Sequence, residues 1–167
     1  HEFLFTSCVD ARAAFEARLR EMAELIKAVS IAELEIPNNY REDKHDAFFK
    51  DFGEESLTPR DLAMFPTYFI ALDGAKGDEE KAQLLDLLSS GLPMKVLVQT
   101  DDILARAPLG EGQFAFGVRS LQLASMAVGL NSAFVLQSSA SHLRQARDRL
   151  ADGLTYNGPA LFSIYSG

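Results

Sequence analysis

The feature that most narrows the fold is a set of short, nearly unbroken apolar runs in the later part of the chain, separated by stretches of helical rhythm. Thr67 to Leu72 (TYFIAL), Met94 to Gln99 (MKVLVQ), Ser132 to Gln137 (SAFVLQ) and Ala160 to Tyr165 (ALFSIY) are rich in β-branched and aromatic residues. A strand with one wet face alternates apolar with polar residues, whereas a strand buried on both faces reads like these. Between the runs, spacing predicts helices over Asp78 to Ser90, Arg119 to Val128 and Ser141 to Leu150, with Gly91, Gly129 and Gly153 at or just beyond their ends. Strand and helix thus alternate from the first run to the last. That order makes right-handed crossovers, so the expected fold is α/β, a parallel sheet with helices on both faces.

The preceding residues follow another rhythm. Phe15, Leu19, Met22, Leu25, Ile26 and Val29 recur at three- and four-residue steps, predicting a helix from Asp10 to Val29 with Asp10 as its N-cap. After Pro37 the chain is polar and turn-rich, with a short helix expected around Phe48, Phe49 and Phe52. Thr58, Pro59 and Asp61 then make a helix start that Pro66 stops. Residues 1–66 therefore read as an N-terminal helical segment and connection, and 67–167 as the α/β domain. The chain opens on His1 with no leader-like pattern, and reads as a domain excised from a larger protein.

Charge and cysteine content exclude some functions. Acidic residues number 24 against 16 basic, a net charge of -8, which is the wrong sign for the electrostatic attraction behind nucleic-acid binding. The most apolar stretch, Leu121 to Leu136, is interrupted by Gln122, Ser125, Gly129, Asn131 and Ser132, so no membrane span is expected. A single cysteine, Cys8, allows no internal disulfide and no iron–sulfur cluster in this chain, and points to a reducing, cytoplasmic setting. Cys8 itself reads as a small packed residue, and His45 and His142 as solvated.

Ligands of open parallel sheets bind beyond the carboxyl ends of the strands. The residues following the first three runs are Asp73-Gly74, Thr100-Asp101-Asp102 and Ser138-Ser139-Ala140-Ser141. Asp73 and Asp101, from different strand ends, could hold a hard cation such as magnesium, with diphosphate oxygens and water completing its shell. The residues alone read more simply as turn formers, and the serines most simply as N-caps of the helix that carries His142.

Leu72-Asp73-Gly74, followed after a helix-length gap by Ser90-Gly91 and the run Lys95 to Val98, resembles the thiamine-diphosphate domain of the pyruvate:ferredoxin (flavodoxin) oxidoreductase family, where a Gly-Asp-Gly motif leads to a similar strand. Tyr156-Asn157-Gly158-Pro159-Ala160-Leu161 is similar to that family's closing Tyr-x-Gly-Pro-x-Leu block. The likeness covers about Phe69 to Gly167. It implies a thiamine-diphosphate-binding-like fold in a 2-oxoacid oxidoreductase, with magnesium and thiamine diphosphate as cofactors. Other domains or subunits of the same enzyme would be its partners, in a homo-oligomer, because another domain supplies the acid that contacts the aminopyrimidine. By the same resemblance Asp73 and Asp101 are metal ligands through their side chains and Ile103 through its carbonyl, Gly74 lies against the cofactor, and no catalytic residue falls in this chain. Leu72 stands where the family has the first glycine, and Leu104 to Gln113 replaces the family's Tyr-Ser-Asn-Thr-Gly-Gly-Gln loop. Those departures leave open a non-catalytic module kept for subunit association, and strand-end acids alone would also suit magnesium-dependent phosphoryl transfer.

Overall fold

The computed structural model describes residues 3–101 and 118–166. The chain divides into two compact units, one made of residues 1–12 and 66–167 and the other of 13–65. The elements are β1 (Leu4–Phe5), α1 (Cys8–Glu35), α2 (Glu42–Lys50), α3 (Pro59–Leu62), β2 (Phe69–Asp73), α4 (Gly74–Glu79), α5 (Lys81–Ser89), β3 (Lys95–Thr100), α6 (Val118–Gly129), β4 (Phe134–Ser139), α7 (Arg147–Thr155) and β5 (Ala160–Tyr165), with 3₁₀ turns at Glu54–Ser56 and Ala140–His142.

The first unit is built on a five-stranded sheet of order β1-β2-β3-β5-β4 in which every pairing is parallel. β5 lies inside the sheet, and Ala160 to Ile164 are buried without a break, which is why its sequence carries no alternation. Successive strand residues face opposite sides, so the register fixes which helix covers which face. Val98 pairs with Ser163 and Leu97 with Phe162. A Cβ on Gly77 of α4 would lie 2.9 Å from Val98, whereas one on Gly153 of α7 would lie 2.6 Å from Phe134 and 2.8 Å from Phe162. α4 and α7 therefore cover opposite faces, as the sequence predicts. α6 packs on β4 and β5 and against α5, burying Leu123, Ala124 and Ala127.

Several boundaries differ from the sequence reading. β1 was not foreseen: two residues pair with Phe69 and Ile70, too few to show any periodicity. The helix expected over Asp78 to Ser90 is two helices, α4 and α5, breaking at Glu80. That expected over Ser141 to Leu150 is a 3₁₀ turn followed by α7, which runs on to Thr155. α1 starts two residues before Asp10, which sits in its first turn; the Ser7 hydroxyl stands 3.5 Å from the Asp10 amide.

In the second unit the Phe15 and Phe65 rings meet at 5.0 Å, and Phe49 is buried beside Phe48, Phe52 and Tyr40. α3 begins as predicted: the Thr58 hydroxyl accepts from the Asp61 amide and the Asp61 carboxylate accepts from the Thr58 amide. The apolar stripe of α1 is not wholly interior. Leu25 and Val29 are 57% and 49% exposed and, with Met22, Ile26 and Met64, line an open groove of about 480 Å³.

Candidate functional site

All strands run the same way, so their carboxyl ends form one rim. Along it lie Asp73, the last residue of β2, Thr100 and Asp101 at the end of β3, Ser166 after β5, and Ser139, Ser141 and His142 at and beyond the end of β4. α6 lies with α5 on one side of the sheet and α7 covers the other. The two acids singled out in the sequence lie at the ends of adjacent strands, since Asp73 is in register with Gln99, two residues before Asp101.

Each acid has one oxygen engaged within the protein. Asp73 caps α4, its Oδ1 accepting from the Lys76 amide at 2.8 Å. Asp101 Oδ1 accepts a hydrogen bond from the Ser166 hydroxyl, tying β3 to β5 beyond their last ladder bond. Among the described residues the second carboxylate oxygen of each has no hydrogen-bond partner, which leaves it available to a cation. No group of three or more His, Cys, Asp or Glu side chains gathers among the described residues, so a metal ion here would complete its shell with other oxygens. Asp102, Ile103 and the replaced loop from Leu104 to Gln113 lie outside the described residues.

Gly74 and Leu72 have roles the sequence did not disclose. A Cβ on Gly74 would lie 3.0 Å from Thr100 Cγ2, so glycine here lets the turn after β2 sit against the end of β3. Leu72 is 3% exposed, buried on the face that α4 covers, so its side chain does not stand on the rim. Thr100 is 6% exposed, and among the described residues its Oγ1 has no hydrogen-bond partner. Two acids at adjacent strand ends, each with an oxygen that has no partner among the described residues, suit a divalent cation, while Thr100 shares the α4-covered face of Val96 and Val98.

The other polar groups have local explanations. The Ser139 hydroxyl is 2.8 Å from His142 Nδ1 and 2.9 Å from Ser141 Oγ, within one 3₁₀ turn. The serines therefore order their own side chains, with no side-chain bond capping the turn. His142 is exposed and no carboxylate among the described residues orients its ring, so the pair lacks the third group of a nucleophile-activating triad. Lys76 reaches Glu80 at 3.1 Å. Burial pushes the Glu80 carboxyl up, but the Cys8 amide donating at 2.6 Å, together with Lys76, outweighs it and holds the group below the usual range. Cys8 is 1% exposed, and burial, then the neighbouring Glu80, pushes its thiol up to about 12, so it is a packed residue and no nucleophile.

Sequence reasoning missed Lys95, a lysine 2% exposed at the amino end of β3. Its ammonium donates to the carbonyls of Tyr156 at 2.6 Å and Gly158 at 2.7 Å, anchoring the turn before β5 at the end of the sheet away from the rim. The available signal was a lone charge inside an apolar run. No described helix is long and apolar enough to cross a membrane. No family model matches the chain, and no curated protein or solved structure is significantly similar to it.

Proposed function

We propose that the carboxyl-terminal rim of the sheet holds the magnesium–diphosphate end of thiamine diphosphate in a cytoplasmic enzyme that oxidises 2-oxo acids. The observation that carries this reading is the pair of acids at the ends of adjacent parallel strands, each with one oxygen engaged in the fold and one that has no partner among the described residues. Asp73 and Asp101 would hold the cation, with the Ile103 carbonyl as a further ligand by resemblance. When bound, the cofactor supplies the carbanion that attacks the 2-oxo carbon; this chain fixes its charged tail and keeps the metal in register with the sheet. The half of the pocket that contacts the aminopyrimidine comes from another domain or subunit of the same enzyme.

A second reading is favoured by the cap itself. Asp73 already has a structural duty toward Lys76, so the domain could serve only subunit association. Serine at position 73 separates the two, because it caps a helix as well as aspartate does but has no carboxylate. Titration calorimetry with magnesium and thiamine diphosphate should give saturable heat for the parent chain and none for Asp73→Ser, while urea unfolding of that variant stays within about 0.5 kcal/mol of the parent. Asp73→Ala should lose both the binding and about 1 kcal/mol of stability. No heat from the parent would overturn the cofactor reading in favour of association, and equal heat from parent and Asp73→Ser would remove Asp73 as a ligand.

A further inference from the structure

We propose that the outer edge of β4 docks a second copy of this chain, the two strands pairing antiparallel about a two-fold axis at Gln137 to make one continuous sheet. The proposal does not depend on what the rim binds.

The backbone of the strand carries it. β4 ends the sheet and pairs with β5 alone, in register from Phe134 opposite Ala160 to Ser139 opposite Tyr165. The Phe134 amide donates to the Pro159 carbonyl at 3.0 Å. Backbone groups turn alternately to the two sides of a strand, so those of Phe134, Leu136 and Ser138 face β5, and those of Val135, Gln137 and Ser139 face outward. Among the described residues the three outward amides and the carbonyls of Val135 and Gln137 have no hydrogen-bond partner, and the Ser139 carbonyl accepts from the neighbouring Ser138 hydroxyl at 3.4 Å.

An open edge is a template for another strand, and proteins that leave one free blunt it by shortening it, by setting charge or proline on it, or by a bulge. The opposite edge is blunted in this way, since β1 is two residues long. β4 has none of these devices. It runs six residues, FVLQSS, with no proline and no charge, and keeps unbroken register with β5.

Two features select a second copy as the occupant. The edge is its own complement: with Gln137 opposite Gln137 across the axis, and Val135 opposite Ser139 of the second copy, every outward amide meets an outward carbonyl. Charge selects the same place. Each chain carries a net charge of -8, so two copies repel unless they meet on an uncharged surface. Residues 120–143, the longest stretch of the chain free of Asp, Glu, Lys and Arg, run through α6, β4 and the turn beyond it. Gln137 is the exposed side chain of the strand, and an amide can bond to its own counterpart across the axis.

Size-exclusion chromatography with light scattering on the intact chain should give a dimer that dissociates on dilution. Gln137→Lys sets two ammonium groups against each other at the axis, and Gln137→Pro removes an outward amide without taking a bond from the β4–β5 ladder. Each should weaken the dimer by about tenfold or more. Gln137→Cys leaves charge and backbone unchanged. Its two Cα atoms would lie about 5.5 Å apart in the proposed pairing, within the reach of a disulfide. Diamide should therefore convert this variant to a covalent dimer, while the parent, whose single Cys8 is buried, stays uncrosslinked. A parent that is monomeric across the accessible concentration range overturns the proposal and leaves the edge to an extended segment of another protein. A dimer that withstands Gln137→Lys, and whose Gln137→Cys form does not cross-link, also overturns it, because the contact then lies on another surface.

Discussion

Lys95 is the residue whose position runs most against its chemistry. Its ammonium is buried between two carbonyls and lies 5.8 Å from the Tyr156 ring centroid, with no carboxylate paired to it among the described residues. Burial pulls its pKa down to about 8 from an ordinary 10.5. Between those values the unfolded chain holds a proton that the folded chain has released, so the lysine's contribution makes stability rise with pH across that window. Urea unfolding followed from pH 7.5 to 10 should therefore show a rise that Lys95→Met lacks. At pH 7 the same variant should be less stable by about 1–3 kcal/mol, because two carbonyls lose their donor. A methionine variant that keeps the rise would show that another group is responsible.

At the scale of elements, α7 sits close to the sheet because residue 153 has no side chain. A methyl there would meet Phe134 at 2.6 Å and Phe162 at 2.8 Å, both ring atoms of the apolar layer that Leu97, Leu136 and Leu150 also fill. Gly153→Ala should lower stability by about 1–3 kcal/mol, whereas Gly129→Ala, with nothing within 4 Å, should not; urea midpoints of the two variants make the comparison. Equal midpoints would mean that α7 can shift away from the sheet without loss.

This packing also shows what the sequence could and could not disclose. The parallel sheet was legible because strands buried on both faces carry an unbroken apolar signature: β5 spans Ala160–Tyr165 as expected, while β4 is displaced by two residues because Ser132 and Ala133 look like strand but precede it. Glycine 153 was read only as a helix stop, since its partner rings are distant in sequence. The break between α4 and α5 at Glu80 was hidden for a similar reason: that residue reaches back to the Cys8 amide, and no local pattern records a bond across 72 residues. Asp73 and Asp101 were legible as rim acids because strand ends follow from the runs. The engagement of each with Lys76 and Ser166 was not.

At the scale of the whole molecule, the sheet unit is discontinuous in sequence: its edge strand β1 comes from the first residues, and the other strands follow after residue 66. β1 covers the outer edge of β2, and Phe3 and Phe5 set their rings 5.3 and 5.5 Å from Tyr68. Removing residues 1–5 should uncover that edge, lowering the melting temperature and producing concentration-dependent association in size-exclusion chromatography with light scattering. A truncated chain that melts like the parent and associates no more than it does would show that β1 protects nothing. The buried ammonium of Lys95 gives the molecule a polarity of a different kind. It bolts down the amino-terminal end of the strands, so substitutions at the opposite end leave that anchor intact.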